Sequence, residues 1–459
     1  MIVQRYGDLE LHYTTSVRMA WPTRLAPAVE PANSHARILV GAVGQPGWRP
    51  AGFQFSNGRN LADVGSLMLR DVSADRSLIR PCVRWERIGD LPSVAGYPGS
   101  VPSAVWRPIP PSGYVALSDC ASVSAPPLET GVCIRQGVHN GWRYARRGEV
   151  GEHLFEHAGT RLWSVVTPPY PDGDRDERLF LPVGGFTAVR VAGRPDPTPT
   201  TWILDLPAVV HHASGPGIPV LTSPARPPAQ VGVVDRIVTV PYVLVDDPSR
   251  TTAWRIQNSP FYRLRRRRIF DLVLFRDNTR GTVAQPESQT ITTGVTQEAG
   301  WSFSVATGIT VGASVGVEAS AKPFGMGASV TTTASVSASI ELGYETRRNV
   351  STMASDSRER GLIIPPHSTG CLWMEHHELT PVRANGETLS AQSTLGFRTE
   401  YYVTGEFPGG SGVTPFTSDA SGERTPLPAT HLLPDRPRAD TDTPPPDTTA
   451  ANGEPAEQQ

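Results

Sequence analysis

Three short clusters of histidine and acidic residues are the places where this sequence could bind a metal ion or transfer a proton. The first, His153-Leu-Phe-Glu-His157, has two histidines at the four-residue spacing of the HExxH zinc motif. Its glutamate directly precedes the second histidine instead of following the first, so it does not occupy the general-base position of that motif. We therefore predict a structural role for this segment.

The second cluster is a run of four potential ligands, and the third is a set of aspartates. Glu375-His-His-Glu378 is expected to lie in a strand, where successive side chains point to opposite faces and cannot converge on one ion. Asp172, Asp174 and Asp176 have the spacing that opens a calcium loop, but the following glycine and distal glutamate are missing. With no nucleophile elbow, phosphate loop or dinucleotide fingerprint, the sequence predicts a non-enzyme without metal or cofactor.

Composition favours a chain with many turns and short strands. The 459 residues include 43 glycines and 45 prolines, and the formal net charge is −2. So many turn-forming residues favour a mainly β fold, and the low net charge argues against a nucleic-acid partner. The four cysteines are too few for a disulfide scaffold. Cys120 and Cys133 could form a bridge, but unpaired core thiols are the favoured interpretation.

The chain divides into three zones. Residues 1–247 contain short alternating runs broken by turns, which predicts a β-prism or sandwich-like domain. Residues 248–408 have longer runs and fewer prolines, which predicts longer strands. Residues 409–459 are polar and proline-rich, so they are expected to be disordered because they bury too little apolar surface to offset the entropy of ordering.

A period-two pattern in residues 301–345 is the most informative feature. Odd positions up to Ala321 are almost all apolar, whereas from Ala328 onward the apolar residues occupy even positions. This pattern predicts two strands joined at Lys322-Pro-Phe-Gly-Met-Gly327. Pairing Ala321 with Ala328 places both apolar sets on one face of a hairpin.

The length of this hairpin suggests that it crosses a membrane. Each arm is roughly three times as long as an ordinary strand of about 5–6 residues, and a transmembrane strand needs about 9–11. The small and β-branched apolar face suits lipid, and the Ser/Thr/Gly face suits a wet lumen. Because two strands leave unpaired edges in lipid, several copies would have to close into a barrel.

Each part of the hairpin has a predicted position in that barrel. The residues expected to face lipid are Phe303, Val305, Ile309, Val311, Val315, Val317, Val330, Val336, Ile340 and Leu342. The tip comprises Lys322, Pro323, Phe324, Gly325, Met326 and Gly327. Glu318, Glu341 and Glu345 are expected to face the lumen, where one copy per subunit would favour cations. The alternative is an amphipathic hairpin that stays in a soluble sandwich.

Five arginines cluster near the start of the second zone. They are Arg263, Arg265, Arg266, Arg267 and Arg268. Guanidinium groups at this density could bind lipid phosphates, glycan carboxylates or a neighbouring protomer. The favoured alternative is a strand whose arginines pair with acidic neighbours.

The hairpin and the segments after it resemble a known family. Together with Gly361-Leu-Ile-Ile-Pro-Pro-His-Ser-Thr and Glu400-Tyr-Tyr-Val-Thr-Gly-Glu-Phe, the hairpin is similar to the insertion region of aerolysin-type β-pore-forming toxins. The resemblance extends from about residue 250 to residue 408 and rests on pattern. It implies an elongated β domain at 248–408 that forms a homo-oligomer on a target membrane.

A second resemblance covers part of the N-terminal zone. The run Val105-Trp-Arg-Pro-Ile-Pro-Pro-Ser-Gly-Tyr-Val-Ala-Leu-Ser-Asp-Cys is similar to the family named for a fungal vacuolar protein sorting protein, number sixty-two. Val132-Cys-Ile-Arg and Phe180-Leu-Pro-Val-Gly-Gly-Phe fit the same pattern, whereas Ser118 stands where that family has glycine. The resemblance implies a β module that docks on membranes.

These observations lead to one hypothesis and two rivals. The hypothesis is a pore-forming protein whose N-terminal domain binds a lipid, glycan or protein receptor. Because no secretory signal or transmembrane helix is visible in the sequence, we expect release without a recognisable signal peptide and then action at a target-cell membrane. The rivals are a non-lytic carbohydrate- or lipid-binding protein and an intracellular membrane-trafficking adaptor.

Overall fold

The computed structural model is mainly β, as the sequence predicts, and every strand pair in it is antiparallel. It describes residues 1–24, 36–56, 64–93, 102–168, 178–245, 247–297, 303–305, 309–311, 356–389, 394–418, 422–427 and 430–431. Across these ranges, no helix is long and apolar enough to span a membrane.

The N-terminal part consists of short strands grouped in small sheets. The strands are β1 (Val3–Tyr6), β2 (Leu9–Thr14), β3 (Val17–Arg24), β4 (Ala36–Ala42), β5 (Arg49–Pro50), β6 (Gln54–Ser56), β7 (Ser66–Asp71), β8 (Ile79–Arg80), β9 (Arg84–Leu91), β10 (Ser103–Ile109), β11 (Tyr114–Ala116), β12 (Cys120–Ser122), β13 (Cys133–Arg135), β14 (Ala145–Arg147), β15 (Glu149–His157), β16 (Thr160–Val166), β17 (Arg178–Leu181), β18 (Phe186–Val189) and β19 (Trp202–Pro207). The sheets have the orders β1-β2-β7-β5, β3-β4-β6, β12-β10-β9, β11-β13-β8, β15-β16-β18 and β14-β19-β17. This multiplicity of short strands matches the frequent turn signals in the sequence.

A single long sheet dominates the rest of the chain. Its strands are β20 (Val209–His212), β21 (Gln230–Pro241), β22 (Phe261–Asn278), β23 (Gln285–Gln297), β26 (Asp356–Ile364), β27 (Ser368–Val382), β28 (Leu395–Phe407), β29 (Thr414–Ser418), β30 (Arg424–Pro426) and β31 (Thr430–His431). The order is β20-β21-β22-β27-β28-β23-β26-β29-β30, with β31 paired to β28. The sheet therefore begins with two strands that precede residue 248. Two further short strands, β24 (Phe303–Val305) and β25 (Ile309–Val311), pair with each other and with no other strand of the described residues.

One helix, α1 (Thr252–Asn258), connects β21 to β22. The Thr251 side chain caps it by accepting a hydrogen bond from the Trp254 backbone N–H at 3.2 Å. This connection places the long strand β22 between β21 and β27, in the interior of the sheet.

An aromatic core joins the N-terminal sheets to the long sheet. The ring of Tyr13 lies 4.8 Å from that of Tyr242 and 5.8 Å from that of Phe261, measured between centroids. All three side chains are buried and belong to one apolar cluster that extends from Tyr6 to Phe397. Burying aromatic rings of this size contributes strongly to stability, so the two regions pack as one body at this point.

Order extends further toward the C-terminus than the sequence predicted. Residues 414–418 form β29, which pairs with β26, and Phe416 is 1% exposed. Val413 is also buried, in the core that lies under β26 and β27. Burial of these two apolar side chains stabilises a segment that its proline-rich composition predicted to be disordered. Residues 432–459 lie outside the described residues.

Candidate functional site

The base of the predicted hairpin is the ladder between β23 and β26. Gln285 pairs with Ile364, and the register continues without a slip to the pair Thr293–Asp356. Continuing the same register along the sequence brings Ala321 opposite Ala328. The parity pattern of residues 301–345 requires odd positions to face even ones, and this pairing is one that satisfies it. The register of the described ladder is therefore compatible with the predicted hairpin, most of which lies outside the described residues.

The two faces of this ladder differ in polarity and can be compared with the predicted faces of the hairpin by parity. Odd positions of β23 and even positions of β26 share one face, and on it Ile291, Leu362 and Ile364 are buried in an apolar cluster. On the opposite face, Thr292 and Ser357 hydroxyls lie 2.9 Å apart and are exposed. The face with Ile291 has the parity of the predicted lipid-facing residues of the first arm, and the face with Thr292 has the parity of the predicted polar face.

After Thr293, β23 changes its partner. Gly294 pairs with Arg398, Val295 with Phe397 and Gln297 with Gly396, all on β28. The change occurs at Gly294, whose φ of 82° is a conformation that glycine adopts without strain. A bulge follows between Val295 and Gln297. The first arm therefore leaves the hairpin register here and joins the body of the sheet.

The described part of residues 301–345 differs from one uninterrupted arm. Phe303 pairs with Val311 and Val305 with Ile309, so β24 and β25 form a small antiparallel ladder inside the stretch predicted to be a single strand. The sequence contains Gly308 between them, a residue that permits a reversal. The other predicted lipid-facing, tip and lumen residues, from Val315 to Glu345, lie outside the described residues.

The arginine cluster lies on β22, and three of its members pair with carboxylates. Arg266 is buried and donates from Nε to Asp235 Oδ1 at 2.9 Å, with a second bond from Nη2 to Oδ2. Arg267 Nη1 lies 3.1 Å from Glu378 Oε2, and Arg268 Nε bonds to Glu375 Oε1. The remaining two, Arg263 and Arg265, are exposed. These two retain the freedom to contact a lipid, a glycan or another protomer.

The run Glu375–Glu378 lies on β27, and its side chains belong to separate clusters. His377 Nε2 is 3.4 Å from Glu375 Oε2, whereas His376 Nδ1 is 3.0 Å from Asp271 Oδ2. In the part of the chain that the structure describes, no three His, Cys, Asp or Glu side chains are grouped so as to hold a metal. The calcium-loop aspartates at 172, 174 and 176 lie outside it. The four side chains of this run therefore form polar contacts with different neighbours in the sheet.

Burial and pairing shift the pKa values of this cluster. Burial of Glu375 opposes ionisation, but its hydrogen bond to His377 and the charge of Arg268 outweigh that effect and lower its pKa to about 2. Burial lowers the pKa of His377, against the opposing influence of Glu375. Both groups therefore bind protons more weakly in the folded chain than in the unfolded one.

These shifts predict acid destabilisation of the long sheet. Below about pH 6.5 the unfolded chain protonates His377 more readily than the folded chain does, and below about pH 4.5 the same holds for Glu375. The free energy of unfolding therefore decreases as the pH decreases. Thermal unfolding midpoints at pH 7, 5.5 and 4 should decrease in that order. The variant His377→Gln should show a shallower decrease between pH 6.5 and 5. The control variant His157→Gln, at an exposed position, should show the same decrease of the thermal midpoint with pH as the wild type. A wild-type midpoint that stays constant from pH 7 to 4 would contradict the prediction.

The N-terminal motif has a structural role that its sequence did not reveal. Arg107 donates two hydrogen bonds to Asp119, at 3.0 Å to Oδ1 and 2.8 Å to Oδ2, and Asp119 is fully buried. Asp119 also accepts from the Ala188 backbone N–H at 2.7 Å and from the Thr200 hydroxyl at 3.0 Å. A buried charge needs such partners. Through these hydrogen bonds, the two ends of the motif connect β10 and the residue before β12 to β18.

Ser118 fills a tight place in the same motif. Its Oγ accepts a hydrogen bond from the Phe186 backbone N–H at 3.2 Å. A Cβ added at Gly185 would lie 2.6 Å from that of Ser118, and one at Gly52 would lie 3.0 Å from it. The serine thus packs against two glycines, which explains how the chain tolerates a side chain at this position.

Two other candidates prove to be structural. His153 packs edge-on against Trp163 on the neighbouring strand, with ring centroids 5.0 Å apart, and Glu156 pairs with Arg161 at 2.8 Å. All four cysteines are buried and free, including Cys120 and Cys133. Burial raises the pKa of Cys133 to about 12, so its thiol stays protonated and unreactive at neutral pH.

The long sheet matches a toxin family. Residues 233–401, from β21 into β28, match the family model for insecticidal crystal toxin, P42. This match supports a toxin-like β module in that part of the chain. No curated protein matches the chain.

Two solved structures are similar to the chain at low sequence identity. GNIP1Aa from Chromobacterium piscinae is 19% identical over 40% of this chain and 34% of that one, with a TM-score of 0.27. Cry35Ab1 is 10% identical over 88% of this chain and 91% of that one, with a TM-score of 0.29. The chain thus spans about a third of the length of GNIP1Aa.

Proposed function

We propose that this protein is a pore-forming toxin. In the proposed mechanism it binds a target membrane, forms a homo-oligomer and inserts the hairpin of residues 301–345 into a transmembrane β-barrel. The observation that carries the proposal is the register of β23 with β26 up to Thr293, because its extension along the sequence would pair odd with even positions, as the predicted hairpin requires. In the inserted state the hairpin would present one apolar and one polar face, as a strand between lipid and a lumen requires.

The family match indicates the kind of target. A module similar to insecticidal crystal toxins supports release from the producing organism and action on insect cells. The N-terminal sheets would provide the first contact with a lipid, glycan or protein receptor. Exposed Arg263 and Arg265 on β22 are available for a headgroup or a neighbouring subunit.

The proposal is tested on vesicles that contain an encapsulated dye. We would use phosphatidylcholine vesicles supplemented with a lipid extract of insect midgut brush border, and plain phosphatidylcholine vesicles as the control. Addition of the protein should release dye from the supplemented vesicles, and electron microscopy of them should reveal rings. Binding without leakage or rings would favour the non-lytic alternative.

A further inference from the structure

An open cleft of about 570 Å³ lies beside the base of the hairpin. Residues of β22, β23 and β28 line it, together with the segment that leads into β21. β22 and β23 are not neighbours in the sheet, so the cleft exists because the sheet curves until these two strands approach each other. Its volume is within the usual range of small-ligand sites, about 300–1,000 Å³.

An ion pair between Asp271 and Arg398 lines the cleft, and each of the two side chains has a polar atom without a hydrogen-bond partner among the described residues. Arg398 Nη2 lies 3.0 Å from Asp271 Oδ2, and Arg398 Nη1 donates to the Thr292 carbonyl at 3.3 Å. Within the described residues, Asp271 Oδ1 and Arg398 Nε are buried and have no hydrogen-bond partner. A bound ligand or water is one explanation for buried polar atoms without protein partners.

The mouth of the cleft carries the positive charge of Arg226, which is not paired with a carboxylate among the described residues. Arg226 is exposed, and its guanidinium lies 5.7 Å from the centroid of the Phe275 ring, which helps to hold it in place. Among the described residues Arg226 forms no ion pair, whereas the charge of Asp271 is balanced by Arg398. The site therefore favours a ligand with a negative group at the mouth.

Uncharged polar side chains complete the lining. The side chains of Gln230 and Gln289 offer donors and acceptors, and Ile291, on the same face of β23 as Gln289, adds a small apolar surface. Thr292 directs its carbonyl toward Arg398, away from β26. In an antiparallel ladder the peptide groups of every second residue point to the same side, so the N–H and C=O groups of Thr290 also point away from β26. Such a lining suits a ligand with several hydroxyl groups.

We propose that this cleft binds a sugar residue that carries a carboxylate, of the uronic acid class. Arg226 pairs with the carboxylate, and the side-chain amides of Gln230 and Gln289 bind the ring hydroxyl groups. Arginine suits this role because its planar fork matches a carboxylate. The site is independent of pore formation, because it is assembled in the described sheet and requires no membrane.

The test is calorimetric titration of the full chain, without vesicles, with methyl β-glucuronide and with methyl β-glucoside as its neutral counterpart. We expect the glucuronide to bind at least about tenfold more tightly than the glucoside, which corresponds to ~1.4 kcal/mol. Arg226→Gln should remove this preference. The exposed Arg280→Gln, at a position outside the cleft lining, should retain it.

A second variant tests the hydroxyl contacts. Gln289→Leu, at an exposed position, should weaken both sugars by a similar factor while leaving the thermal midpoint near that of the wild type. Equal affinity for the two sugars, an equal effect of Arg280→Gln and Arg226→Gln, or absence of glucuronide binding would each overturn the assignment. None of these outcomes affects the vesicle experiment, so failure of the cleft proposal is distinguishable from failure of the pore proposal.

Discussion

A disulfide between β23 and β28 is expected to abolish dye release by the oxidised protein, and a reducing agent should restore it. The variant Gln297→Cys/Gly396→Cys joins the last residue pair of the β23–β28 ladder. The proposed insertion requires this part of β23 to leave β28 and continue along β26, so a covalent link holds it in the soluble arrangement. Release should fall to the level of vesicles without protein. The native cysteines are buried and free, which leaves the new pair as the accessible one.

The matched control is a second disulfide that the hairpin register permits. Thr292 faces Ser357 across the β23–β26 ladder, and their hydroxyls lie 2.9 Å apart at the exposed face. Because the Thr292 carbonyl points away from β26, this is a pair without mutual backbone bonds, where side chains are closest. Thr292→Cys/Ser357→Cys should therefore form a bridge and retain dye release. If both oxidised variants release dye equally, or if both are inactive, the register mechanism is wrong.

Removal of one member of the buried pair Arg266–Asp235 is expected to cause the largest loss of stability. Both side chains are less than a tenth exposed, and the guanidinium binds the carboxylate with two hydrogen bonds. Arg266→Met leaves the Asp235 charge buried without its partner, which costs about 3–5 kcal/mol. The measurement is the free energy of unfolding from urea denaturation followed by far-UV circular dichroism.

Two variants distinguish a loss of charge pairing from a general effect of substitution. Arg266→Met/Asp235→Leu removes both charges and should recover most of the loss, because replacing a buried pair by apolar groups is often neutral. Arg263→Gln, at an exposed position on the same strand, should change stability by no more than about 0.5 kcal/mol. If the double variant is as unstable as Arg266→Met, the loss of stability comes from the packing of the arginine side chain and not from its charge pairing with Asp235.

The sequence pattern was most informative where local alternation decides the structure. The mainly β fold follows from turn-rich composition, and alternation explains the two faces of the described ladder between β23 and β26, whereas the pairing of Ala321 with Ala328 stays a prediction. The pattern did not predict the β24–β25 ladder, since three-residue strands carry little periodic signal. It also missed β29, because the burial of Phe416 depends on a strand about fifty residues earlier.

Features made by distant residues could not be predicted from the chain. Asp119 stands at the end of a recognised motif, but its role depends on Arg107, Ala188 and Thr200, which the fold brings together. The cleft likewise joins Arg226, Asp271 and Arg398 from separate strands and loops. No spacing rule links such positions. The arginine cluster had two open interpretations, and only the fold places Asp235, Glu375 and Glu378 beside it.

The change of partner by β23 at Gly294 has a kinetic consequence for the proposed insertion. Among the described residues, three ladder pairs, Gly294–Arg398, Val295–Phe397 and Gln297–Gly396, join the strand to β28. Once they separate, the ladder with β26 can lengthen one pair at a time, because no pair formed earlier has to slide. The energy barrier to the proposed insertion thus includes the separation of these pairs and the opening of the β24–β25 ladder, and the nine pairs already formed between Gln285 and Thr293 serve as the nucleus for the longer ladder.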